Sequence, residues 1–390
     1  MHTVMPVYGT RPEAIKMAPV VRALQQSPLF RPTVVLTGQH RDILDQVNTT
    51  FGVSADADLG IMTPRQTLHD ITVRTMTGLQ PLLDRHVPDA VLVQGDTTSA
   101  MAAALAAFER KIPVVHIEAG LRSGDLFDPF PEEANRRIIG QIASLNLAPT
   151  AHAKRNLLAS GVPEARIAVT GNTVIDALHL MLDRAPAFGD PALTRALAGD
   201  APLVLVTAHR RENHGEPMRR IGTAVRVLAA RFPDHVFVLP AHPNPAVREH
   251  LLAALGTAPN ILVTAPVAFP EMVHLMDRAT LILTDSGGVQ EEAPALGSPV
   301  LVLRETTERP EAVLAGTSRL VGTHVETIVD EAAVLLTDPV RHAAMAHAAS
   351  PFGDGHAAAR TVAALGALLG GAERLPDFEA ADADSLSVSR

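Results

Sequence analysis

Short β-branched, apolar runs alternate with longer Ala- and Leu-rich segments of helical period, and this alternation constrains the chain more than any other feature. Side chains repeat every two residues in a strand and every 3.6 in a helix, so the alternation reads as successive βα units. Such units assemble into mainly parallel sheets covered by helices. The strand-like runs of the first half are Val4–Tyr8, Thr33–Leu36, Ala90–Val93, Pro113–His116, Leu145–Leu147 and Ile167–Val169. Those of the second half are Leu203–Val206, His235–Leu239, Ile261–Val263, Leu281–Leu283 and Val300–Leu303. Between the halves, Leu182–Pro202 is rich in Ala, Pro, Gly and Asp, which suits a helix followed by an exposed connection. A chain of 390 residues exceeds one ordinary core. The fold expected is therefore α/β, with a first Rossmann-like domain over residues 1–172 and a second over 173–369, its last helix packing back on the first. The acidic, Ser/Ala-rich stretch 370–390 is expected to be disordered.

A formal charge of −9 argues against a general nucleic-acid or anionic-membrane surface, because nothing offsets phosphate repulsion. Any phosphate site must be a local cluster of cations. The absence of Cys removes disulfides, thiolate metal sites and cysteine nucleophiles, and it agrees with a reducing compartment. No apolar run approaches the ~18 residues of a membrane span, and the first residues lead straight into a strand pattern. A cytoplasmic enzyme is the expectation.

Glycine and polar residues follow nearly every strand. They occur in Gly9-Thr10-Arg11, Gln94-Gly95-Asp96-Thr97-Thr98, Glu118-Ala119-Gly120, Ala208-His209-Arg210-Arg211-Glu212, Ala241-His242 and Asp285-Ser286-Gly287-Gly288. Ligands of open parallel sheets bind outside the carboxyl ends of the strands, so both halves are expected to present chemistry there, facing one another across a cleft. The Asp285-Ser286-Gly287-Gly288 turn leads from a strand into a helix, where glycine lets backbone N–H groups approach phosphate oxygens; a capped βα turn is the plainer alternative. Glu291 and Glu292 suit the helix dipole in either case. Arg11, Lys16, Arg210, Arg211 and Arg309 offer cations beside strand ends, and Arg suits bidentate phosphate contacts. Asp96, Glu118 and Glu132 could act as general acids or bases, although Asp96 and Glu132 also suit helix caps or first turns. Among 17 histidines there is no HExxH and no convincing ligand spacing, so no metal is expected; His209 and His242 stand out by position. Neither a GxGxxG after the first strand nor a Walker A sequence is present, which disfavours tightly held NAD and P-loop hydrolysis.

Eight motifs taken together resemble the bacterial non-hydrolysing UDP-N-acetylglucosamine 2-epimerases, a family with the glycosyltransferase-B type of two-domain fold. They are GTRPEAIKMAP from Gly9, GQHRDILDQV from Gly38, GDTTS from Gly95, HIEAGLRSGD from His116, PFPEEANRR from Pro129, TAHRREN from Thr207, LTDSGGVQEEAP from Leu283 and TTERPEAV from Thr306. The resemblance implies catalytic roles for Asp96, Glu118, Glu132 and His209. It implies substrate contacts for Arg11, Lys16, Arg136, His242, Met272, Ser286, Gly287, Gly288, Glu292 and Arg309, with Glu292 on the ribose. Gln39, His40 and Arg65 match a site at which similar enzymes bind a second UDP-N-acetylglucosamine as activator. Two positions depart from the family pattern: Met272 stands where an aromatic residue is usual, and Gln94 where a His is usual.

The reaction implied is reversible inversion at C2 of UDP-N-acetylglucosamine, giving UDP-N-acetylmannosamine for bacterial cell-surface polysaccharides, in a homodimer without NAD or metal. A C2 proton that is not next to a carbonyl is too weakly acidic for a carboxylate to remove unaided, whereas loss of UDP from C1 would acidify it. Elimination to 2-acetamidoglucal and re-addition of UDP is the route expected. The alternatives are a hydrolysing epimerase, a glycosyltransferase, or a nucleotide-sugar sensor of the same fold.

Overall fold

The computed structural model describes residues 1–38, 41–185, 188–241 and 245–380. Its strands, in chain order, are β1 (His2–Tyr8), β2 (Phe30–Pro32), β3 (Val35–Leu36), β4 (Ala57–Asp58), β5 (Ala90–Gln94), β6 (Val114–Ile117), β7 (Leu145–Ala148), β8 (Ile167–Val169), β9 (Leu203–Thr207), β10 (Val236–Pro240), β11 (Ile261–Thr264), β12 (Ala279–Thr284), β13 (Val300–Val302) and β14 (Ser318–Leu320). They form two separate parallel sheets. The first has the order β4-β3-β1-β5-β6-β7-β8, with β2 also pairing β1, and the second has the order β11-β10-β9-β12-β13-β14. In each, the first strand is flanked by its second and its fourth principal strand, the Rossmann arrangement in which strand order reverses beside strand one. The reversal falls between β1 and β5 in one sheet and between β9 and β12 in the other.

Helices cover both faces of such sheets, so their strands are apolar almost without interruption. Every residue of β5 and of β9 is buried. Helix starts follow local sequence: Thr97 accepts the Ala100 N–H at 3.1 Å and Thr150 accepts that of Ala153 at 3.1 Å, caps worth about 1 kcal/mol each. Among the described residues, no helix is long and apolar enough to cross a membrane.

The chain divides into two compact units, Met1–Leu180 with Phe352–Glu379, and Met181–Pro351. The first unit thus runs past residue 172, because most of the helix Thr173–Leu182 belongs to it. Asp176 on that helix accepts the N–H groups of Ala357 at 3.1 Å and Ala358 at 2.8 Å, so it caps the returning helix Ala357–Leu368. That helix packs on the helix Arg11–Gln26 of the same unit.

The expectation of disorder from residue 370 is corrected as far as residue 380. Phe378 donates its N–H to the Val169 carbonyl at 2.7 Å, and Val169 donates to Asp377 Oδ1 at 3.1 Å. Arg374 donates to the Ile167 carbonyl at 2.7 Å, and Phe378 is buried beneath the Arg360 guanidinium. Composition hid this because one aromatic residue and one carboxylate, matched to the open polar edge of β8, suffice to hold an otherwise polar segment. Residues 381–390 lie outside the described chain.

Candidate active site

In the first unit the carboxyl ends of β1, β5 and β6 carry the titratable groups. Glu118 follows β6 with a left-handed φ of 63°, uncommon for a residue with a side chain and the kind of strain that collects at functional sites. Its carboxylate accepts from Lys16 and Asn172 on Oε1, the latter at 3.1 Å, and from Gln94 on Oε2. Asp96 follows β5 and pairs with Arg136 at 2.7 Å. Burial pushes the Asp96 carboxyl up against the pull of Arg136, and the charges of Glu118 and Glu132 push the same way as burial. Glu132 opens the helix Glu132–Ile142, and its Oε2 is buried without a hydrogen-bond partner. A buried carboxylate oxygen lacking a donor is costly unless a ligand supplies one.

A supporting set fixes these groups. Glu133 is fully buried and accepts the Ser123 N–H, Arg136 and Arg137. Burial pushes its carboxyl up, but that N–H and the two guanidiniums together hold it below the ordinary value. The buried His116 bonds through Nε2 to the Gly95 carbonyl at 2.7 Å, and burial depresses the imidazole to about 4, so the ring is neutral beside Asp96 and Glu118. Buried Glu13 accepts the N–H groups of Gly9 and Thr10 at 2.7 Å and the Thr97 hydroxyl, which ties the loop after β1 to the loop after β5.

In the second unit the corresponding loops carry cations and glycine. The helix Gly287–Ala295 begins directly after β12 and Ser286. A Cβ on Gly287 would meet Arg210 Nη2 at 3.2 Å and the Arg309 guanidinium at 3.8 Å, so two guanidiniums converge over the positive end of this helix. Backbone N–H groups at a helix start and guanidinium groups are both chemically suited to an anion. Glu291 pairs with Arg309, and a Cβ on Gly288 would meet Glu292 Oε1 at 3.2 Å. Arg304, only 5% exposed, is clasped by Glu212 from one loop and Glu308 from another. Asp285, wholly buried, accepts the N–H groups of His209 and Arg210 and the Asn213 amide.

A family model described as UDP-N-acetylglucosamine 2-epimerase matches residues 22–366. The chain belongs to this family. The UDP-N-acetylglucosamine 2-epimerase of Escherichia coli K12 is 49% identical over 369 residues, which cover 93% of this chain and 98% of that one. A solved Listeria monocytogenes protein, assigned as a UDP-N-acetylglucosamine 2-epimerase, is 47% identical with a TM-score of 0.91, covering 97% of this chain and 99% of its own. The Neisseria meningitidis UDP-GlcNAc 2-epimerase, solved bound to UDP-GlcNAc, is 45% identical with a TM-score of 0.83, covering 93% and 99%. The two-sheet α/β architecture of this epimerase-family member is of the glycosyltransferase-B type.

Within the first unit, the structure gathers Lys16, Asp96, Glu118, Glu132 and Arg136 of the residues that the sequence singles out. Arg11 is exposed at the start of its helix. Arg65 is exposed, with a left-handed φ of 56°. Within the second unit, His209, Ser286, Gly287, Gly288, Glu292 and Arg309 lie around the loops after β9 and β12 and the Arg309 segment. Met272 lies half-buried on the helix Phe269–Arg278. Gln39, His40 and His242 fall outside the described residues. Asn172 was not singled out, although it follows Gly171 at the end of β8, the same polar strand-end signal that marked the others. Asp285 stood in the sequence only as part of the Asp285-Ser286-Gly287-Gly288 turn, as a cradle or cap residue, and its buried bonds to the loop after β9 were not foreseen.

Proposed function

We propose that this chain interconverts UDP-N-acetylglucosamine and UDP-N-acetylmannosamine by eliminating UDP and adding it back, without hydrolysis. The observation that carries the reading is the gathering of Asp96, Glu118 and Glu132 beside Lys16 and Arg136, with one Glu132 oxygen buried and unpartnered. In the forward direction the C1–O bond breaks and its electron pair leaves with UDP. A carboxylate takes the C2 proton, and the electrons of the C2–H bond become the C1=C2 double bond of 2-acetamidoglucal. Re-addition of UDP at C1, with a proton delivered to the other face of C2, gives the epimer. Asp96, its carboxyl raised by burial, is suited to carry a proton in this exchange. The glycine turn with Arg210 and Arg309 suits the diphosphate that leaves and returns, and His209 attends it.

The same reading includes a cytoplasmic homodimer that supplies precursors of cell-surface polysaccharide and uses neither NAD nor metal. UDP-N-acetylglucosamine acts as an activator through Gln39, His40 and Arg65, and family resemblance supports these points. The test is turnover in heavy water without added NAD or metal, followed by mass spectrometry. Deuterium at C2 of both UDP-sugars is expected. Retention of the original hydrogen at C2, or free N-acetylmannosamine as the product, would overturn the reading.

A further inference from the structure

The buried carboxylate of Asp285 is unevenly loaded. Oδ2 receives the His209 N–H at 3.0 Å, the Arg210 N–H at 2.9 Å and the Asn213 amide at 3.0 Å, whereas Oδ1 only shares the His209 N–H at 3.0 Å. A carboxylate can accept about four hydrogen bonds, so the remaining capacity lies on Oδ1. Oδ1 is also the oxygen nearest the imidazole, 3.5 Å from Nδ1 of His209. The ring itself is 40% exposed, while Asp285 is wholly buried at the end of β12. A carboxylate can only accept, so an imidazole nitrogen that bonds to it does so by carrying the proton, and Nδ1 is the ring nitrogen placed toward Oδ1.

We propose that Asp285 is the positioning residue of His209: it fixes the backbone of the loop and holds the neutral ring as the Nδ1–H tautomer, which assigns Nε2 to exchange with a bound diphosphate. This rests on the reading of His209 as the residue that attends the diphosphate. It predicts an inversion in Asp285→Asn. The amide oxygen keeps the side with three donors, the NH₂ group then faces Nδ1, and the ring proton moves to Nε2.

The experiment is a long-range ¹H–¹⁵N spectrum of the ¹⁵N-histidine-labelled full chain at a pH where the ring is neutral, with the His209 signals assigned by their loss in His209→Gln. Wild type should give the Nδ1–H pattern. Asp285→Asn should give the Nε2–H pattern, with turnover lowered about tenfold or more and UDP still bound. An Nε2–H or averaged pattern in wild type overturns the proposal, as does an unchanged tautomer in folded Asp285→Asn. If that variant fails to fold, the wild-type spectrum alone decides. The spectrum uses no substrate, so an Nδ1–H ring in a protein that shows no C2 exchange would defeat the proposed reaction and leave the Asp285–His209 pair standing.

Discussion

Both units reverse strand order beside their first strand, yet they furnish the two reversal points in opposite chemical senses. Beside the reversal between β1 and β5, the ends of β5 and its neighbour β6 carry carboxylates, Asp96 and Glu118, countered by Arg136 and Lys16. Beside β9 and β12 they carry arginine and glycine over a helix start. Each crevice is nonetheless stapled by one buried carboxyl: Glu13 joins the loops after β1 and β5, and Asp285 joins those after β9 and β12. One topology thus supplies a scaffold, while residues beyond the strand ends give one crevice carboxylates and the other arginine and glycine, the difference on which the proposed division between proton chemistry and anion binding rests.

The sharpest break would come from the carboxylates. Asp96→Asn, Glu118→Gln and Glu132→Gln should each lower turnover by roughly 10²-fold or more, while UDP affinity measured by calorimetry stays within a few-fold. Collapse of UDP affinity with turnover intact would reverse the proposed division of labour. Gly287→Ala should do the opposite. Its Cβ would stand 3.2 Å from Arg210 Nη2, so UDP affinity should weaken about tenfold, the loss of roughly one charge-assisted hydrogen bond, with a smaller change in turnover at saturation.

Next in size are the staples themselves. Glu13→Gln offers one acceptor oxygen where two served three donors, and it should cost roughly 1–3 kcal/mol in thermal or denaturant unfolding. Burial holds the Glu13 carboxyl above its ordinary value, so its contribution is full at low pH and fades as pH rises through the folded value. The gap between wild type and Glu13→Gln should narrow with rising pH. The smallest effect belongs to Glu308. Its hydrogen bonds to Arg304 outweigh burial and hold its carboxyl at about 2, against an ordinary 4.5. That stabilisation is present above the ordinary value and lost as pH falls toward about 2, so Glu308→Gln should flatten the acid limb of unfolding followed by circular dichroism. The two variants should therefore tilt the stability curve in opposite directions.

Most strands were legible because a buried parallel strand is an apolar run, as β5 and β9 are throughout. The short strands β4 and β14 were not, since Ala57–Asp58 and Ser318–Leu320 carry no such run and are strands only by pairing with β3 and β13. Asp96 and Glu118 were visible as strand-end acids, and Glu132 as an acid in the loop-like segment Asp128–Glu133. Their fixing residues were not: Glu133 reads as a first-turn acid and Asp285 as a cap, because a buried ion pair leaves no periodic trace in local sequence. The segment Arg374–Phe378 was lost in an acidic tail for the same reason, its partners on β8 being far away in the chain.

That returning segment has a consequence for the order of assembly. A nascent chain tends to fold domain by domain as it emerges, but the unit begun at Met1 takes in Phe352–Glu379 and so needs residues translated after the whole of Met181–Pro351. On the ribosome the second unit can close first, and the older half of the protein must wait for the younger to be finished before the cap at Asp176 and the edge of β8 are occupied.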